Sequence, residues 1–277
     1  MYCYRHPDRE TGLSCSECGR PICTDCMTAA PVGLRCPEHA GGRTAPVSLT
    51  RTARSVKAGA TQGIVTYILM GVNVAIYLIT VAQGAGINSP GGSLFYKFTL
   101  DGPDVANGGW WRLITAAFLH ASLLHIGFNM LFLWWIGRPI EAFLGWWRYL
   151  VLYFVSGLAG SAGALIATPN AYTVGASGAI FGLLGAALVL ERQRINVLGG
   201  SALALVVINL VLSFTISGIS IGGHIGGLIG GAAGMLLTHF SRRHPVYGRT
   251  GVLEIAGVIG VGVISVLISY MKVRGNL

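Results

Sequence analysis

Charge is scarce in this chain of 277 residues: 10% of them are charged, and only ten are acidic. Such a composition excludes a charge-rich, solvated or disordered polypeptide. Carboxylates are rarest where a catalytic triad would want one. Asp8, Glu10, Glu17, Asp25 and Glu38 fall among the first 40 residues, and Glu141, Glu191 and Glu254 lie at the ends of apolar runs. Asp101 and Asp104, both in one long connection, are all that remain. No secretory leader is expected, because residues 1 to 40 hold all six cysteines and two histidines where an apolar segment would be needed. The N-terminus is therefore expected in the cytosol, where a reducing environment disfavours disulfides and clustered Cys and His read as metal ligands.

Apolar residues are abundant instead, at 53% of the chain with a mean hydropathy of +0.64, which points to a body embedded in a lipid bilayer. Seven apolar runs of spanning length are expected, at Ile64 to Ala82, His125 to Phe143, Trp147 to Ala167, Ala176 to Leu190, Val197 to Phe214, Gly222 to Phe240 and Val252 to Tyr270. This is an all-α polytopic membrane protein, preceded by a Cys/His-rich head over 1–40 and a flexible basic Gly/Ser/Thr/Arg linker over 41–62. The connection of roughly 40 residues after the first run carries Phe95, Tyr96, Trp110 and Trp111, a length and composition suited to a functional element at the membrane interface.

The net charge of +9 invites a nucleic-acid partner, but membrane topology accounts for it. With the N-terminus inside, Arg51, Arg54, Lys57, Arg138, Arg148, Arg192, Arg194, Arg242, Arg243 and Arg249 all fall in the cytosol, as the positive-inside rule expects. Lys97, Arg112, Lys272 and Arg274 fall outside, the last two against the rule. The localisation implied is a multi-pass protein of the plasma (inner) membrane, with no nucleic-acid partner.

Gly175-Ala176-Ser177-Gly178 closes a loop and opens the fourth run, so Ser177 stands at a helix N-terminus whose free N–H groups can hold an oxyanion. Arg192 follows 15 residues later, about 22 Å of helix against about 30 Å of hydrocarbon, which sets Ser177 roughly 8 Å beneath the outer surface. His224 precedes Arg242 by 18 residues, about 27 Å, and tilt brings it to a similar depth. Gly223, Gly227 and Gly231 form one stripe of the sixth run and Gly222, Gly226, Gly230 and Gly234 another, while Gly178 and Gly182 lie on the fourth, allowing close backbone approach. Ser177 as nucleophile and His224 as base form a dyad, since the acids leave no third member. Ser177 read by itself is equally a small packing residue, and His224 an interhelical hydrogen-bonding group.

His120, His125 and Asn129 form a second polar set, the last two sharing one helical face and offering donors to the oxyanion beside the Ser177 and Gly178 backbone. Structural glue is the plainer reading, and metal ligation by His120, His125 and His224 the competing chemistry.

These residues resemble the rhomboid intramembrane proteases over about residues 62 to 242. Gly175-Ala-Ser177-Gly178 looks like the family's GxSG nucleophile motif, and His224 with Gly227 and Gly231 like its base helix. Trp111-Arg112 resembles the first-loop WR pair, and His120, His125 and Asn129 fit the HxxxxHxxxN run, whose last two members are implicated in oxyanion binding. Gly137, Glu141 and Gly145 fit a structural GxxxExxxG pattern. Phe181 departs by replacing a tyrosine that in some members stacks on the histidine. The resemblance implies a six-helix protease core over 63–243 plus a seventh helix within 244–277. It implies as substrates single-pass transmembrane proteins, cut near the outer face after a small residue, with the loop from about Ile216 to Ile221 capping a water-filled cavity. A catalytically silent membrane-protein binder and a transporter are the rival classes.

In the head, Cys3-x-x-His6, Cys15-x-x-Cys18, Cys23-x-x-Cys26 and Cys36-x-x-His39 supply ligands for two tetrahedral, structural zinc ions. The spacing is similar to a B-box zinc finger, whose interleaved topology would join Cys3, His6, Cys23 and Cys26, then Cys15, Cys18, Cys36 and His39; sequential pairing is the alternative. So small a unit buries little core, so metal supplies most of its folding energy. Such a module suits a cytosolic protein partner.

Overall fold

A computed structural model describes residues 1–30, 33–40, 63–216, 218–243 and 250–275, and no side chains of 240–243 or 250–253. The linker expected over 41–62, Ser217 of the capping loop, Arg249, and the side chains of Arg242 and Arg243 thus lie outside the described residues. Two compact units divide the chain, Met1–Ala60 and Thr61–Leu277.

Among its described residues the first unit has little regular structure. β1 (Thr28–Ala29) pairs antiparallel with β2 (Leu34–Arg35), and the small core is Ile22 surrounded by Cys3, Cys15, Cys23, Cys26 and Cys36. All six cysteines are free thiols.

The second unit is helical: α1 (Ile64–Gln83), α2 (Gly92–Phe98), α3 (Gly102–Ala106), α4 (Arg112–Thr115), α5 (Leu123–Phe132), α6 (Arg138–Leu144), α7 (Trp146–Ala167), α8 (Ser177–Arg192), α9 (Ala202–Thr215), α10 (Ile221–Arg243) and α11 (Thr250–Val273). A π-helical turn at Leu133–Gly137 joins α5 to α6 in one rod. Each of the seven expected runs forms a helix, but not each is of spanning length. Among the described residues four helices are long and apolar enough to cross a membrane, Ile64–Gln83, Trp146–Ala167, Ile221–His239 and Glu254–Val273, and a fifth if Arg112–Phe118 and Leu123–Leu144, bent by 95°, count as one span. The expected run from Val197 starts only at Ala202, because Gly199 and Gly200 take φ of +66° and +84° and break the helix. At 14 residues α9 covers about 21 Å, and at 16 residues α8 covers about 24 Å. The long connection itself holds three short helices, α2, α3 and α4.

Helix α10 packs against both α7 and α8. Its two glycine stripes divide this work. A Cβ on Gly227 or Gly231 would overlap the carbonyl oxygens of Gly178 and Gly182 on α8, whereas one on Gly222 or Gly226 would overlap those of Gly163 and Ala159 on α7. Lipid is as apolar as the side chains, so such backbone-to-backbone contact, rather than water exclusion, holds the helices together. Buried Glu141 secures the start of α1: its carboxylate accepts from the N–H groups of Val65 and Thr66 at 2.9 and 2.8 Å and from Thr66 Oγ1 at 2.7 Å. Negative charge at a helix N-terminus is favourable there. Helix α11 docks on α7, with Arg148 bonded to buried Glu254 at 2.7 and 3.2 Å near one end and Tyr270 stacked on Trp110 at 5.7 Å near the other. The last turn of α11 therefore lies on the side of the long connection.

Candidate active site

Ser177 is the first residue of α8. Gly175 makes the turn into it with φ +120°, its N–H donating to Ala116 at 2.9 Å, and the first helical bond runs from the Ile180 N–H to the Ala176 carbonyl at 3.0 Å. The N–H groups of Ser177 and Gly178 therefore have no partner within the helix. A cavity of about 30 Å³, room for one water, opens here between Ser177, Gly178, Gly160, Thr173, Ser220 and Gly223.

The geometry brings His224 to the same helix face. Its ring stacks on Phe181 with centroids 4.0 Å apart and planes 15° from parallel, and Phe181 stands one turn beyond Ser177. Among the described residues no hydrogen bond joins Ser177 Oγ to His224. In unliganded sites such a bond is often long and tightens only with substrate. Ser220 caps this end of α10, its Oγ accepting from Gly223 N–H at 3.2 Å and its carbonyl from His224 N–H at 3.0 Å. The Nδ1 atom of His224 lies 2.6 Å from Ser213 Oγ on α9. Neither serine is singled out by sequence reasoning. A Ser three residues before Gly223 at a helix start is a legible cap signal, but nothing in spacing marks Ser213.

The second polar set closes on the same place. Ser122 caps α5 by accepting from His125 N–H at 3.2 Å. A Cβ on Gly175 would sit 2.6 Å from His125 Nε2 and 3.8 Å from Asn129 Nδ2, so both side chains face the turn two residues before Ser177. His125 Nδ1 accepts from the Ala121 N–H at 3.4 Å, which leaves the ring proton on Nε2, directed at Gly175. Asn129 Nδ2 spends one N–H on the His125 carbonyl at 2.9 Å and keeps a second. Fully buried His120 lies edge-on to His125 at 5.1 Å. Among the described residues His120, His125 and His224 form no cluster of metal-ligating atoms.

Trp111 and Arg112 tie the long connection together. Trp111 Nε1 donates to the Lys97 carbonyl at 3.1 Å, while buried Arg112 donates to the carbonyls of Tyr96 and Thr99 at 2.8 and 2.5 Å and pairs with Asp104. Asp101 caps α3 by accepting from Asp104 N–H at 2.8 Å. Both acids of the long connection are thus engaged by other partners than His224. Gly137 lies against Tyr149 and Thr66, and Gly145, with φ +82°, ends α6 by donating to the Glu141 carbonyl at 2.8 Å.

In the head, the side chains gather as Cys3, His6, Cys23 and Cys26, and as Cys15, Cys18, Cys36 and His39, with ligand atoms within 4.8 Å of one another. Cys23 and Cys26 Sγ both lie 3.4 Å from His6 Nδ1, Cys36 Sγ lies 3.2 Å from His39 Nδ1, and Cys18 and Cys36 Sγ are 3.8 Å apart. Tetrahedral zinc would set sulfur–sulfur and sulfur–nitrogen edges of about 3.8 and 3.5 Å, so the residues fit that ion. Burial pushes the Cys3 and Cys15 thiols up, but backbone N–H groups of Cys23 and Arg5, and of Cys36 and Cys18, outweigh it and hold both at about 6. The thiolate, the ligating form, is favoured at these two positions, whereas burial and the neighbouring thiols push Cys26 up to about 11.

A mostly helical unit with several apolar helices, a serine at a small cavity and a histidine stacked one turn along the same helix defines a polytopic membrane fold with the makings of an acyl-transfer site. The Rhomboid domain family matches residues 107–243. Rhomboid protease GluP of Bacillus subtilis is 34% identical over 57% of this chain and 31% of its own length. Rhomboid-type serine protease 2 of Emericella nidulans is 42% identical over 34% of this chain and 18% of its own. RHOMBOID-like protein 1 of Arabidopsis thaliana is 46% identical over 28% and 20%. The chain spans less than half of the length of each. These matches support the rhomboid family for this chain and, with the apolar helices, an integral multi-pass membrane protein.

Proposed function

We propose that the chain is a rhomboid-type intramembrane serine protease in which Ser177 and His224 act as a dyad. The stacking of His224 on Phe181, one turn from Ser177 on the same face, carries this reading. His224 Nε2 takes the Ser177 hydroxyl proton as Oγ attacks the substrate carbonyl. The oxygen that becomes negative is met by the Ser177 and Gly178 N–H groups, His125 Nε2–H and the second N–H of Asn129. Collapse expels the amine, which takes the proton from His224 and leaves an ester on Ser177. Water, activated by the same imidazole, hydrolyses it.

The substrates are single-pass transmembrane proteins whose helices unwind near the outer face, cut after a small residue. Six helices form the protease core and α11 is an added seventh, with the N-terminus cytosolic in the plasma (inner) membrane. The distribution of basic residues supports this orientation. The head binds two structural zinc ions in interleaved pairing, with all four positions of each site filled by protein, and serves as a cytosolic docking module. The ligand-atom spacing supports it.

A fluorophosphonate probe tests the nucleophile. It should label the purified protein and fail to label Ser177→Ala, with His224→Ala labelled far more slowly. Equal labelling of all three contradicts the dyad.

A further inference from the structure

Ser213, 2% exposed and in the last turn of α9, has its Oγ 2.6 Å from His224 Nδ1 and also 2.6 Å from the carbonyl oxygen of Asn209. A carbonyl can only accept, so the hydroxyl proton of Ser213 is donated to Asn209. Oγ then meets Nδ1 with a lone pair, and a contact this short requires the imidazole hydrogen on Nδ1. The opposite arrangement, Oγ–H toward Nδ1, would press two acceptor oxygens together at 2.6 Å. Neutral imidazole carries one N–H, so Nε2 is bare, the form a general base needs.

We propose that Ser213 is a positioning residue for His224, fixing its tautomer and ring orientation through Nδ1–H and steadying the imidazolium that forms when the Ser177 proton arrives. The proposal rests on the reading of His224 as the base. This is the work that a carboxylate does in a Ser-His-Asp triad. Asp101 and Asp104 are engaged elsewhere, and a hydroxyl orients the ring without adding a charge within the bilayer, where charge is costly. Phe181 fixes the plane of the ring and Ser213 its rotation within that plane, two constraints from two helices on one side chain. Because Ser213 belongs to α9, the base is set correctly only while the last turn of α9 stays docked.

The test is steady-state cleavage of a transmembrane reporter by the full-length protein in vesicles, comparing Ser213→Ala, Ser213→Val and Ser213→Thr. Losing the orienting group should lower kcat about 10- to 100-fold in the Ala and Val variants, with KM within about twofold, and Thr, which keeps the hydroxyl, should restore most of it. Val and Thr have nearly the same shape, so a difference between them reports the hydrogen bond rather than packing. Parental kcat in the Ala and Val variants, or a Thr variant as slow as Val, overturns the proposal. His224→Ala is measured alongside: if it cleaves at the parental rate the base reading fails, whereas an inactive His224→Ala with a parental Ser213→Ala removes only the role of Ser213.

Discussion

The ring of Phe181 lies face to face with that of His224, centroids 4.0 Å apart, where some rhomboid sequences carry tyrosine. The stack survives loss of the hydroxyl because it needs only the ring face. Aromatic pairs contribute about 0.5–1.5 kcal/mol beyond burial, so Phe181→Ala should lower kcat roughly 2- to 12-fold. Phe181→Tyr should keep the parental value. Cleavage kinetics of the two variants check this.

Gly227 faces the carbonyl oxygen of Gly178 so closely that a methyl group cannot fit without moving backbone on both helices. Gly227→Ala should therefore lower the melting temperature in detergent, at a cost of about 1–3 kcal/mol or more, and suppress cleavage by pushing α10 and His224 away from α8. Gly71, on α1 with open space around its missing side chain, is the control, and Gly71→Ala should leave both unchanged or slightly raise stability.

His125 and Asn129 turn donors toward the turn before Ser177, and removing a single oxyanion donor typically costs about 10²- to 10³-fold in rate. His125→Ala and Asn129→Ala should each lower kcat on that scale while fluorophosphonate labelling of Ser177 persists, because His224 is untouched. Loss of labelling together with rate would assign these residues to folding instead.

Eight Cys and His ligand atoms in two clusters of four should hold about two zinc ions per chain. Elemental analysis of the purified protein should find them, and Cys23→Ser should remove one, since it empties only the cluster of Cys3, His6 and Cys26. One ion or none in the parent contradicts the two-site reading.

The rods were largely legible from sequence. Long apolar runs mark their own helices, and the glycine stripes of α10 announce a close approach. Which stripe meets which neighbour was not legible, because both have the same period and only the packed bundle assigns Gly227 to α8 and Gly226 to α7. Helix length was misread where Gly199 and Gly200 end the apolar pattern's authority: composition stays apolar while φ turns positive. Glu141 could be matched to a pattern, yet its partners, the first N–H groups of α1, lie more than 70 positions away. Ser213 escaped altogether, since a lone serine on an apolar helix carries no sign of what it faces.

Cleavage by the purified, full-length protein and by its Ser177→Ala variant, reconstituted with a single-pass transmembrane substrate, tests the central claim most directly. The parent should cut the substrate near the outer membrane face and Ser177→Ala should leave it intact. Cleavage by Ser177→Ala at the parental rate would contradict the assignment of Ser177 as nucleophile.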